Sequence, residues 1–223
     1  MALQERAVRT RETVLRAASE AFAAKGFLGT SMAEILDLAQ VTKGALYFHF
    51  GSKEELAASI IAEQEKAARR VVETVVAESA PPLDKVVAIT VRWAHTVQTD
   101  PQVRAGARLM TEWRGPDGGP MAPYGWWQGV IRDLLAEARE RGDLHPRVDI
   151  DLAAEFVVSS FTCSQSLWGI LCEHPDLSGR VRSLWQLLLT GMLADEHRAP
   201  ATGPAPATGP APATGPAPVA AAT

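Results

Sequence analysis

The sequence predicts an all-α protein: an N-terminal three-helix unit with a helix-turn-helix, then a larger helical domain, about nine or ten helices in all. Three observations predict it. Apolar residues recur at helical spacing almost from end to end. Strand-like alternation is nearly absent. Ser, Thr and Pro stand where helices should start.

The first helix is predicted over residues 4–25, with Val14, Leu15, Ala18 and Phe22 on one face and Gly26 as its C-cap. Ser31 caps a short second helix, with Glu34 completing a capping box and Met32, Ile35, Leu36 and Ala39 on the apolar side. A break at Gln40 and Val41 precedes Thr42, which caps a third short helix reaching His49. Ser52 and Glu55 form a second capping box and open a long helix to about Ser79. Pro81-Pro82 closes it. Further helices are predicted over residues 83–98, 102–114, 124–141, 149–172 and 177–196, with GPDGGPMAP at 115–123 as a loop. Pro101, Pro146 and Pro175 each read as a helix start, where a missing N–H costs nothing. From Ala199 to Pro216 the unit APATGP repeats three times with nothing to bury, so this end is expected to be a disordered, semi-extended appendage. The expected division is a DNA-binding domain over 1–51, a ligand-binding and dimerisation domain over 52–198, and the tail.

Composition bounds the function. At 223 residues, 47% hydrophobic and 22% charged, the chain has ordinary globular composition and ample core material. Its net charge of −4 gives no support to nucleic-acid binding, which must rest on local placement. No run of about 18 apolar residues predicts a membrane span. The N-terminus (Glu5, Arg6, Arg9, Arg11, Glu12) has no apolar run behind it, so no signal peptide is expected and a cytoplasmic, nucleoid-associated protein is. Cys163 and Cys172 fall on one predicted helix about 13 Å apart, too far for a disulfide; both are expected to be buried thiols. The five histidines (His49, His95, His145, His174, His197) are scattered without metal-ligand spacing, and there is no GxSxG or P-loop. Neither an enzyme nor a cofactor is expected.

Two short helices joined by a brief break read as a helix-turn-helix, although that topology alone fits two packed core helices equally well. The content of VTKGALYFHFGSKEEL separates the two. Thr42, Lys43, Gly44, Tyr47 and His49 are small, polar or amphipathic, with Ala45, Leu46, Phe48 and Phe50 left for packing. Gly44 costs about 1 kcal/mol against Ala in a helix, which makes sense where the backbone must approach another surface closely. Thr42 and Lys43 at the helix N-terminus can reach base edges or phosphates, and Tyr47 and His49 can donate to phosphates. Lys53 opposes the dipole of the next helix, a cost that a phosphate would offset. Arg6, Arg9 and Arg11 can add backbone contacts. Basic residues up to position 55 (Arg6, Arg9, Arg11, Arg16, Lys25, Lys43, Lys53) are matched by Glu5, Glu12, Glu20, Glu34, Asp37, Glu54 and Glu55, so a basic face opposite an acidic one is required.

Residues 13–56 resemble the DNA-binding domain of the TetR family of repressors, through AFAAKGF, the Thr30-Ser31 helix start and above all VTKGALYFHFGSKEEL. The resemblance implies a ligand-released homodimer on double-stranded operator DNA, with contacts from Arg9, Ser31, Thr42, Lys43, Gly44, Ala45, Tyr47, Phe48, His49 and Lys53. One departure stands out. The family usually has Gly where this chain has Gln40, and a non-Gly residue in a left-handed turn costs roughly 1–2 kcal/mol. VTKGALYFHF, QVRAGARLM (102–110) and YGWWQGVIRDLL (124–135) are similar to the γ-butyrolactone receptor branch. The resemblance implies that one tryptophan lines the signal pocket, and Trp127 rather than Trp126 aligns with it. A pI near 5.8 resembles receptors more than their basic pseudo-receptor relatives.

The larger domain holds many aromatics, among them Trp93, Trp113, Trp126, Trp127, Phe156, Phe161 and Trp168; core filling accounts for most. Neutral hydrogen-bonders (Gln64, Thr111, Gln128, Ser160, Thr162, Ser164, Gln165) lie among apolar residues, with no inward arginine cluster. That pattern suits a small, uncharged, amphipathic lactone-like ligand, with Gln64, Trp127, Val158, Phe161 and Thr162 as candidate contacts. Val157, Phe161, Ser164, Leu167, Trp168 and Leu171, then Leu184, Trp185, Leu188, Gly191 and Met192, follow helical spacing on the last two helices. They are expected to form an intersubunit four-helix bundle, with intrachain burial as the alternative. A two-fold protein also suits palindromic operators. A DNA-binding architectural protein without a ligand and a drug-responsive efflux regulator remain rival functions, to be separated by the cavity and its lining.

Overall fold

The computed structural model describes residues 2–113, 121–171 and 176–193, the side chains of 2–3, 121–123 and 168–171 excepted. Cys172, Pro175, the repeat tail, most of the 115–123 loop and the side chains of Trp168 and Leu171 lie outside the described residues. Among these, nine helices follow in order: α1 Ala2–Gly29, α2 Met32–Ala39, α3 Lys43–His49, α4 Lys53–Val76, α5 Pro82–Thr99, α6 Pro101–Glu112, α7 Met121–Glu140, α8 Ile150–Leu171 and α9 Leu177–Met192. An isolated bridge joins Leu144 to Leu193.

Local chemistry sets the helix starts. Ser31 Oγ accepts the Glu34 N–H at 3.2 Å, Thr42 Oγ1 accepts the Ala45 N–H at 3.2 Å, and Ser52 Oγ accepts the Glu55 N–H at 3.1 Å. The acidic partners turn elsewhere: Glu34 pairs with Lys25 at 2.6 Å, and Glu55 accepts the Gly51 N–H at 2.7 Å. Asp100 caps α6 by accepting from Gln102 and Val103, with Pro101 in the first turn. Pro146 is not a helix start. It sits in the turn before α8, which is capped by Asp149 Oδ1 accepting the Leu152 N–H at 3.1 Å. Gln40 adopts the left-handed conformation (φ 52, ψ 37), and its Nε2 donates to the Asp37 carbonyl at 2.6 Å, an internal bond that offsets part of the strain.

Two cores result, and α4 and α6 serve both. The N-terminal core joins Val14, Ala18 and Phe22 of α1 to Ile35, Leu46 and Phe50, then to Leu56 and Ile60 of α4 and Ala105 and Leu109 of α6. The second core gathers Val72 and Val75 of α4, Ile89 and Trp93 of α5, Val103 of α6, Leu135 of α7, Val157 of α8 and Trp185 of α9. At Gly106 a Cβ would overlap Gln64 Cβ and stand 3.2 Å from the Ile60 carbonyl, so α6 lies backbone-close on α4. α1 is broken at Gly26 (φ 72, ψ −177).

Of the residues expected between subunits, Val157, Phe161 and Trp185 are buried within the chain, whereas Ser164, Leu167, Leu184, Leu188 and Met192 are half-buried and Gly191 is exposed. Val157 and Trp185 are each 1% exposed, and Phe161 is buried beside Trp185 with ring centroids 5.7 Å apart. Trp185 Nε1 donates to Thr90 Oγ1 of α5 at 2.7 Å. These residues face the chain's own core because α5 packs against α9. The most exposed large apolar side chains on these helices are Leu152 and Phe156 of α8, 64% and 51% exposed, and Leu187 of α9, 75% exposed. Cys163, expected buried, is exposed on α8.

Candidate DNA-binding surface and ligand cavity

On the helix-turn-helix, Ser31, Thr42, Lys43, Gly44 and Tyr47 are exposed, while Ala45 and His49 are half-buried. Phe48, expected in the packing, is 80% exposed, because a helix this short buries only Leu46 and its cap residue Phe50. A Cβ on Gly44 would meet nothing within 4 Å, so no internal contact requires glycine there. Lys43 Nζ lies 6.0 Å from the Tyr47 ring centroid. Arg9 is exposed on α1, and the Arg11 guanidinium lies 5.2 Å from the Phe50 ring. Lys53 is committed internally: its Nζ donates to the Phe27 carbonyl at 2.9 Å and the Thr30 carbonyl at 3.0 Å. The dipole cost assigned to a phosphate is thus offset within the chain, by the carbonyl end of α1.

Between α4, α5, α6, α7 and α8 lies a cavity of about 590 Å³, within the range of roughly 300–1,000 Å³ usual for small-molecule sites. Gln64, Trp127, Val158, Phe161 and Thr162 all line it. Trp127 packs on Trp93 at 5.7 Å. Trp126 is not on the wall; it lies edge-on to Trp127 at 5.1 Å and beneath the Arg69 guanidinium at 4.5 Å. Of the remaining neutral candidates, Thr111 and Gln165 line the cavity, whereas Gln128, Ser160 and Ser164 do not.

Hydrogen bonding narrows what the wall can offer. Gln64 is 3% exposed and its Oε1 is buried without a partner, a cost of about 1–3 kcal/mol unless a ligand donor meets it. Thr162 already donates to the Val158 carbonyl at 2.8 Å, which leaves its oxygen to accept. Tyr124 also lines the cavity, and burial pushes its phenol above the ordinary tyrosine range, keeping it a neutral donor.

The wall is not free of arginines, contrary to what the pattern of neutral hydrogen-bonders predicts. Arg104 and Arg108 line the cavity together with Glu112. Arg108 Nε pairs with Glu112 Oε1 at 2.5 Å, and Arg104 Nη1 donates to the Gln98 carbonyl at 3.2 Å. Their spacing on α6 repeats every four residues and so marked one helix face. Which way that face turned was not written in the spacing.

An N-terminal helix-turn-helix joined to a helical domain with a cavity is the architecture of a DNA-binding regulator. The chain belongs to the TetR family of transcriptional repressors: residues 14–60 match bacterial regulatory proteins of the tetR family, and residues 80–194 match the tetracyclin repressor-like C-terminal domain. It is 34% identical over 189 residues to the A-factor receptor protein of Streptomyces griseus, covering 85% of this chain and 66% of that protein, just under two thirds of its length. A solved γ-butyrolactone receptor (ArpA-like protein) superposes with a TM-score of 0.75 at 31% identity, covering 87% of this chain and 93% of the other. CprB of Streptomyces coelicolor, solved with its biological operator sequence, gives a TM-score of 0.76 at 31% identity, covering 85% and 91%. These relatives are transcriptional regulators, not enzymes. Among the described residues no helix is long and apolar enough to cross a membrane.

Proposed function

We propose that this protein represses transcription as a homodimer on operator DNA and is released by an uncharged γ-butyrolactone- or butenolide-type signal bound in the 590 Å³ cavity. The cavity carries the reading. Trp93, Trp127 and Phe161 supply an apolar body for an alkyl chain, and the unpartnered Gln64 Oε1 asks for a donor such as a hydroxyl. Arg108 does not call for an anionic ligand, because Glu112 already neutralises it and the Ala23 carbonyl takes a further donor; Arg104 spends one donor on the Gln98 carbonyl and keeps others for a neutral ligand oxygen. Similarity to γ-butyrolactone receptors over most of the chain supports the same ligand class.

On the DNA side, Thr42, Lys43, Gly44, Tyr47 and Phe48 present the exposed surface of α3, with Arg9, Ser31, Ala45 and His49 around it. The outward ring of Phe48 suits apolar contact with a thymine methyl. Dimerisation is assigned to the exposed Leu152 and Phe156, one helical turn apart on α8, and Leu187 of α9, since large apolar side chains left in solvent mark an interaction face. The decisive experiment titrates operator-bound protein with a synthetic γ-butyrolactone bearing a medium-length acyl chain. Release of DNA together with quenching of tryptophan fluorescence is expected; binding without release, or no binding, rejects the ligand class.

A further inference from the structure

The Arg108–Glu112 ion pair touches α1 at both of its charged ends. Glu112 Oε2 accepts the Phe27 N–H at 3.1 Å, and Arg108 Nη1 donates to the Ala23 carbonyl at 2.9 Å. An unbroken helix pairs those two backbone groups with each other. The ion pair is therefore spliced into the hydrogen-bond ladder of α1. Gly26 makes the splice possible: its φ of 72 turns the chain out of the helical path, and a Cβ there would overlap the Glu112 carboxylate. Just beyond, Thr30 Oγ1 donates to the Gly26 carbonyl at 2.8 Å, and Ser31 then opens α2. The helix-turn-helix thus leaves α1 directly from this break. Ala23, Arg108 and Glu112 also line the cavity.

We infer that the Arg108–Glu112 pair transmits cavity occupancy to the helix-turn-helix by holding α1 broken at Gly26. With the pair inserted, α2 and α3 stand in their DNA-binding position. A ligand head that draws either side chain toward the cavity frees the Ala23 carbonyl and the Phe27 N–H to bond to each other, which straightens α1 and swings α2 away. Both residues are positioning residues, and the element with two discrete arrangements is the Ala23–Phe27 turn. This inference rests on the proposed ligand-released repression and adds the route by which it works.

The test uses the full chain in two arms. Without ligand, operator affinity and amide exchange at Phe27 are measured for wild type, Glu112→Ala and the swapped double variant Arg108→Glu/Glu112→Arg. The swap keeps an ion pair on α6 but offers the Phe27 N–H a cation. Each variant is expected to lose operator affinity by at least about five-fold, the lower end of typical coupling between sites, and to expose Phe27 to faster exchange. Wild-type affinity and exchange in Glu112→Ala, or full rescue by the swap, would overturn the inference, since a pair that merely stiffens α6 behaves that way. The second arm adds the acylated γ-butyrolactone. Gly26→Ala, which lies off the cavity wall and whose Cβ would overlap the Glu112 carboxylate, is measured here as well. It should lose operator affinity and bind the lactone as tightly as wild type or tighter, because coupling is reciprocal, and weaker binding overturns the splice. If wild type fails to bind the lactone while the first arm gives its expected losses, the ligand class fails and the splice stands.

Discussion

The Lys53 ammonium lies 4.3 Å from the centre of the Phe27 ring and donates to the Phe27 carbonyl at 2.9 Å, so a cation from the first turn of α4 closes the end of α1. Its second bond, to the Thr30 carbonyl, holds the segment that leads into α2. Charged donors on carbonyls contribute about 1.5–3 kcal/mol each when well shielded, and this side chain is half-buried. Lys53→Ala should therefore lower the unfolding free energy by about 1–3 kcal/mol in urea, with operator affinity falling in parallel. Unchanged stability with lost DNA affinity would return Lys53 to a phosphate contact.

Gly44 separates stability from recognition. A methyl there meets nothing inside the chain, and Ala gains about 1 kcal/mol of helix propensity over Gly. Gly44→Ala should melt at the same temperature or higher and yet bind operator more weakly in a mobility-shift assay, because the added methyl crowds the proposed DNA-binding face. A variant at least as tight on DNA as wild type would show that the glycine marks no contact.

Trp127 and Trp126 form an internally controlled pair. Adjacent residues point about 100° apart round a helix, and only Trp127 reaches the cavity. Trp127→Ala should weaken lactone binding by at least about ten-fold, a loss of roughly 1.4 kcal/mol, while operator binding persists. Trp126→Ala loses its place beneath Arg69 and should still respond. An uninducible Trp126→Ala beside a normal Trp127→Ala would move the signal pocket to another wall.

The outward face of α8 and α9 is tested by contrast with the inward one. Phe156→Glu should shift sedimentation from dimer toward monomer with the fold intact, because it places a charge on the proposed interface. Trp185→Ala should instead cost about 3–5 kcal/mol of stability, since the ring is buried and its N–H bonds to Thr90. A dimeric Phe156→Glu would place the subunit contact elsewhere.

Helix content, helix starts and the helix-turn-helix were legible in the chain itself, because caps and turns act over three or four residues. Ser31, Thr42 and Ser52 each satisfy an N–H three positions on, and Gln40 supplies its own compensating bond within its turn. Gln64, Trp127 and Thr162 were legible as pocket candidates, being neutral polar or aromatic residues set among apolar ones, and they share one cavity. Facing direction was not legible. Periodicity marks a helix's apolar stripe but does not say which neighbour covers it, so Trp185 went to the chain's own Thr90, 95 positions away, rather than to a partner subunit. The same holds for charge: nothing near Arg108 or Glu112 in sequence announces that they complete backbone bonds of α1, 85 residues earlier. Short-range hydrogen bonding wrote the elements into the sequence, and long-range packing alone decided which faces meet and which groups they satisfy.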